Sequence, residues 1–130
     1  MSRTNLGALQ YAIMRVLWEE GEASVARVFE VLPARHRRAL TTIATMLTKM
    51  EKKGAVRHRS EGRQFVYAPA VSEAEVQRTM VSELTERAFG GDTAALVAHL
   101  IDEQEIDRRE LERLSAHIAE RQKRERRRAR

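Results

Sequence analysis

The sequence predicts a mainly α-helical fold interrupted by one small β-hairpin, and three observations predict it. Apolar residues recur at three- and four-residue intervals through most of the 130 residues, the spacing that lines one face of a helix. That period breaks between Gly54 and Pro69, where a β-like run, a turn and a second β-like run follow one another. Aromatic residues make up only 5% of the chain, which leaves little material for a large sheet or for a surface that stacks unpaired bases.

The elements follow in order. Leu6, Leu9, Ile13, Val16 and Leu17 mark a first helix over Leu6–Glu20, stopped by Gly21, with Trp18 helping to close the core. Ser24 is placed to cap a second helix carrying Val25, Val28, Phe29 and Leu32, which Pro33 cannot continue. Arg35–Arg38 form a basic turn. A third helix then sets Leu40, Ile43, Leu47 and Met50 on one stripe and ends at Gly54, where a left-handed cap is expected. Val56 opens the first strand, Ser60–Gly62 supply the turn, and Phe65-Val66-Tyr67 return before Pro69. Three helices followed by a two-stranded wing are the order of a winged helix-turn-helix, whose third helix enters the DNA major groove. Beyond it, Ser72 with Glu75 fits a capping box for a fourth helix, which runs to Phe89-Gly90-Gly91. Asp92 can cap a fifth, carrying Leu96, Val97, Leu100 and Ile101, and Asp107 with Glu110 a sixth. The division expected is a winged domain over 1–71, a helical region over 72–120 and a disordered basic tail over 121–130, for which a frayed helix end is the other reading.

Composition narrows the function. The chain has no Cys, so disulfides, thiolate nucleophiles and Cys-ligated metals are excluded. Met1–Gln10 lacks a signal pattern, and no apolar run approaches the roughly 20 residues that span a bilayer; a cytoplasmic protein without membrane insertion is expected. His36, His58, His99 and His117 are scattered, and neither a Gly-rich phosphate loop nor a nucleophile elbow is present. No enzyme, cofactor or metal site is therefore expected. The net charge of +5 conceals a segmental pattern: residues 35–63 hold nine bases against two acids, residues 72–120 five bases against twelve, and residues 121–130 seven bases against one. A concentrated basic block is the footprint of a polyanion-binding face, although a merely solvated face would show the same count.

Within the block, Thr41, Thr42 and Thr45 lie off the apolar stripe of the third helix and are expected to face the major groove, their hydroxyls and methyls reading base edges. Arg38, Lys49, Lys52 and Lys53 flank that helix, and Arg57, His58, Arg59 and Arg63 decorate the wing; all eight are expected on phosphates. Helices as short as the last three are marginal alone, so Val76, Met80, Leu84, Leu96, Leu100, Leu111, Leu114 and Ile118 are expected to be buried against a second copy of the chain, or else folded back on the winged domain.

Several phrases occur together in order: Leu17-Trp18, Ala39-Leu40-Thr41-Thr42-Ile43, Glu51-Lys52-Lys53-Gly54, Tyr67-Ala68-Pro69 with Val71-Ser72, and Phe89-Gly90-Gly91. By these the chain resembles the penicillinase-repressor family (BlaI/MecI/CopY) from about Leu6 to Ile118. The resemblance implies a homodimeric repressor that sits on a pseudo-palindromic double-stranded operator overlapping a promoter. It also implies release through cleavage by a membrane-bound sensor protease, the aligned stretch being Ala98, His99 and Leu100. Staphylococcal-type members carry Asn-Phe where this chain has His99-Leu100, and some relatives have Lys in place of Thr41 and Arg in place of Ala44. The copper-responsive branch, which senses metal through a Cys-rich motif, is excluded. Two other readings remain: a winged regulator released by a small ligand bound between its domains, and a sequence-blind nucleoid or protein-binding module.

Overall fold

The first helix, α1 (Ala8–Glu20), forms because its apolar spacing buries Ala12, Ile13, Met14, Val16 and Leu17 along one side. It starts two residues later than the periodicity implies, behind Gly7, whose N–H donates to the Gln10 side chain at 3.3 Å. Gly21 ends it at φ 84°, donating its N–H to the Leu17 carbonyl. The computed structural model describes residues 3–103 and 105–129.

Ser24 caps α2 (Val25–Val31) as expected, its hydroxyl accepting from the Arg27 N–H at 3.1 Å, and Pro33 turns the chain into a 3-10 segment over Ala34–His36. Next, α3 (Leu40–Lys53) buries Ile43, Leu47 and Met50 completely and stops at Gly54, φ 91°. Leu40 departs from its expected place on this stripe and stays 48% exposed. It opens the helix, and Ile43, one turn further on, is the first side chain of α3 to reach the core.

The hairpin is present, with β2 (Val56–Glu61) antiparallel to β3 (Gln64–Pro69) in the register Val56↔Pro69 to Glu61↔Gln64, around Gly62 at φ 63°. The sheet nevertheless has three strands. β1 (Ala23–Ser24) pairs with β3 through Ala23↔Tyr67 and Ser24↔Val66, so β3 lies in the middle. Two residues are too few to show a strand period in the sequence. Side chains from α1, α2, α3, β2 and β3 meet in one apolar core, and Trp18 ties it to the following segment by donating its indole N–H to the Val71 carbonyl at 3.0 Å.

α4 (Glu73–Phe89) begins at the predicted capping box: the Ser72 hydroxyl accepts from the Glu75 N–H at 3.1 Å, and Glu75 accepts from the Ser72 N–H at 3.4 Å. The chain divides into two compact units, the first running to Glu83 and the second starting at Leu84, so the opening turns of α4 go with the winged fold rather than with a separate region from residue 72. Val76, expected on a dimer face, is fully buried in the core of the first unit. In the second unit, Gly90 and Gly91 both take positive φ. Asp92 then caps α5 (Thr93–Asp102) by accepting from the Ala95 N–H at 3.0 Å, and Asp107 caps α6 (Arg108–Arg128) by accepting from the Glu110 N–H at 2.8 Å. The tail expected to be disordered is helical through Arg128: after Asp107 no Pro or Gly breaks the run, and bases in its last turn suit the negative end of the helix dipole. Arg130 lies outside the described residues.

Candidate nucleic-acid interface

The outward face of α3 follows from its inward one. With Ile43, Leu47 and Met50 committed to the core, Thr41, Thr42, Thr45 and Lys49 must point away from it, and together with Met46 they line one shallow depression. No hydrogen bond to a described residue occupies the hydroxyls of Thr41, Thr42 or Thr45. Thr48 differs, since its hydroxyl donates back to the Ala44 carbonyl at 3.0 Å. The first turn of α3 has neither a capping side chain nor an acid, which leaves the positive end of the helix dipole and its first N–H groups open to an anion.

The predicted cations divide by what they already touch. Lys49, Lys52 and Arg63 are exposed and form no ion pair with a described residue. Arg38 donates to the Arg35 and Arg37 carbonyls at 3.3 and 3.1 Å, and Arg57 to the Pro69 carbonyl at 3.4 Å; backbone oxygens leave both guanidinium charges uncompensated. Lys53 is different, being drawn towards α1, where its ammonium donates to the Asn5 carbonyl and to Gln10 Oε1. Arg59 is more firmly held. It donates to Glu22 at 2.6 and 3.3 Å and pairs with Glu61 at 2.8 Å, and these two carboxylates raise its pKa above an already high value. In return, the hydrogen bond from Arg59 lowers the pKa of Glu22. One guanidinium between two carboxylates is net negative, so the Arg59 charge, expected on a phosphate, is already compensated within the protein.

His58 was expected on the wing facing phosphates, but two pairings at the interface were missed from the sequence. His58 Nδ1 donates to Glu51 at 2.6 Å, and its ring stacks on Phe65 with centroids 4.1 Å apart. Strand β2 is thereby fastened to the last turns of α3, and the ring of Phe65 is held in place. Glu51, one of the two acids inside the basic block, was the available signal. Glu22 was the other omission, because its partner lies 37 residues away.

Of the side chains expected at a dimer face, Met80, Leu84, Leu114 and Ile118 are exposed, as are Val97 and Ile101 on α5, while Leu96, Leu100 and Leu111 are half-buried. Ala98 and His99 are exposed on α5, where the His99 carbonyl accepts from the Glu103 N–H at 3.0 Å and its ring lies 5.7 Å from that of Phe89. Among the described residues no three of His, Asp and Glu gather to hold a metal, and no helix is long and apolar enough to cross a membrane.

Comparison with known proteins converges on one family. The family profile described as Penicillinase repressor matches residues 6–120. The transcriptional regulator BlaI of Mycobacterium tuberculosis is 35% identical over 120 residues, 87% of each chain. The penicillinase repressor of Bacillus licheniformis is 28% identical over 102 residues, covering 78% of this chain and 80% of that one. Among solved structures, the DNA-binding domain of the repressor BlaI matches 58% of this chain and 93% of its own, with 32% identity and a TM-score of 0.50.

Proposed function

Because the chain belongs to the penicillinase repressor family, we infer that it is a DNA-binding transcriptional repressor whose α3 enters the major groove of an operator. The observation that carries this reading is the outward face of α3: Thr41, Thr42 and Thr45, uncommitted within the protein, beside Lys49, at a helix end with no acid. Lys52 and Arg63 would meet phosphates on either side, with Arg38 and Arg57 able to swing from backbone oxygens to do the same. Lys53 and Arg59 serve the fold instead.

Repression then works by occlusion, with two copies of the chain on two half-sites about one helical turn apart, excluding polymerase from a promoter. The large apolar side chains left exposed on α4, α5 and α6 (Met80, Val81, Leu84, Val97, Ile101, Leu114 and Ile118) support a homodimer, since repeated exposed apolar side chains on amphipathic helices are normally covered. Relief by a membrane-bound sensor protease would act on Ala98, His99 and Leu100. The helical hydrogen bonds of α5 then require local unfolding before that backbone can enter a protease cleft.

The test is selection of bound sequences from a randomised duplex pool, followed by titration of the winner against salt. A two-fold symmetric site is the expected result. Binding without an enriched sequence would make the protein a sequence-blind DNA coater, and no binding at low salt would make it a protein-binding module.

A further inference from the structure

Ahead of α4, two large hydrophobic side chains are exposed among the described residues, Leu40 and Phe65, each at 48%. They line the same groove. Its walls are Leu40 and Ala44 of α3, Val25 and Ala26 at the start of α2, and Phe65 with Arg63 from the hairpin. Exposing a leucine and a phenylalanine together forgoes burial that the core could have supplied, so the groove is expected to be covered when the protein acts.

What covers it follows from its position. Leu40 is the residue immediately before Thr41, and Ala44 the one before Thr45, so the apolar wall continues the threonine face around the same helix. An apolar protein surface laid here would also have to bury the uncompensated guanidinium of Arg63 and the free N–H groups at the start of α3. Duplex DNA satisfies both demands, offering phosphates to the cations and one apolar group in the major groove, the C5 methyl of thymine. We propose that this groove seats a thymine C5 methyl of the operator, with Leu40 and Phe65 as determinants of sequence preference alongside the threonines. Phe65 is ready for the task, because His58, anchored by Glu51, stacks behind its ring. The proposal rests on the repressor reading above and adds to it a readout that uses no hydrogen bond.

The experiment replaces each thymine of the selected duplex in turn by deoxyuridine, which deletes the methyl and leaves base pairing intact. The full-length protein should lose roughly three- to fourfold in affinity at one position of each half-site, the value of one buried methyl. In Leu40→Ala or Phe65→Ala, that thymine-to-uracil ratio should fall towards one. Both side chains are half exposed, so truncation spares the core, which an unchanged Tm verifies. The wild-type scan is in any case independent of either variant. A flat wild-type scan overturns the proposal, as does a ratio that survives in both variants, or variants that weaken thymine and uracil duplexes equally and so reveal a backbone contact. Specific binding with a flat scan defeats this inference alone, whereas loss of specific binding by the wild type defeats the repressor reading with it.

Discussion

Arg59 and Arg63 stand four residues apart on the same hairpin, yet they should behave oppositely when DNA is bound. Arg63, free of carboxylates, is expected to neutralise a phosphate, and each phosphate neutralised contributes about 0.9 to the slope of log K against log salt. In a dimer with two hairpins engaged, Arg63→Ala should flatten that slope by roughly 1.8, so the wild-type advantage shrinks roughly tenfold between about 50 and 200 mM salt. Arg59 is already paired with Glu22 and Glu61 at 2.6 and 2.8 Å. Arg59→Ala should therefore leave the slope nearly unchanged while weakening binding at every salt, because two uncompensated carboxylates remain near the phosphates. The double variant Glu22→Gln with Glu61→Gln should release Arg59 and steepen the slope by up to the amount that Arg63→Ala removes. Fluorescence anisotropy with a labelled operator duplex measures all three. An equal flattening by Arg59→Ala and Arg63→Ala would refute the reasoning, since it would mean that Arg59 abandons its carboxylates for DNA.

Further expectations follow from the same geometry. The hydrogen bond from Arg59 lowers the pKa of Glu22 from the ordinary carboxylate value; a lowered carboxylate pKa stabilises the fold above its unfolded value and loses that contribution as pH falls through the folded one. The stability difference between wild type and Glu22→Gln, followed by denaturant unfolding, should accordingly be constant near neutrality and vanish in acid. Val76→Ala should cost the first unit about 2 kcal/mol, two methyls and the space they leave, with a shift in Tm that does not depend on protein concentration. Ile118→Asp, at a side chain 56% exposed, should spare that transition and instead raise the dimer dissociation constant in sedimentation equilibrium. Gly54→Ala forces a Cβ onto φ 91° and should lower stability by about 1–2 kcal/mol, several degrees in Tm.

The sequence was most readable where structure is decided within one turn of chain. Ser24, Ser72 with Glu75, Asp92 and Asp107 each satisfy backbone N–H groups three residues on, and Gly21 and Gly54 end helices by their own backbone freedom. Such features need no knowledge of the rest of the molecule. Apart from the helical tail and the later start of α1, the departures turn on position in the fold and on distant partners. Leu40 has the right period for the core but no core opposite it; Val76 has the period of a free face but meets the winged core; Lys53 and Arg59 look like neighbours of the interface cations until Asn5 and Glu22 arrive from far along the chain. β1 is likewise created by β3 and by nothing in Ala23 or Ser24 themselves. The threonine face was readable because a helix that buries Ile43, Leu47 and Met50 leaves few positions that can point outward.

Ser24 belongs to two elements at once, closing β1 against Val66 of the hairpin and capping α2 through its hydroxyl. The hairpin therefore cannot swing without loosening the helix on which α3 is packed, and His58 with Glu51 repeats the restraint at the other end of α3. A reading head secured at both ends loses little freedom on meeting DNA, because its ordering was completed during folding. Changes in operator affinity should then arise from how often two such heads are presented together, leaving the grip of each one constant.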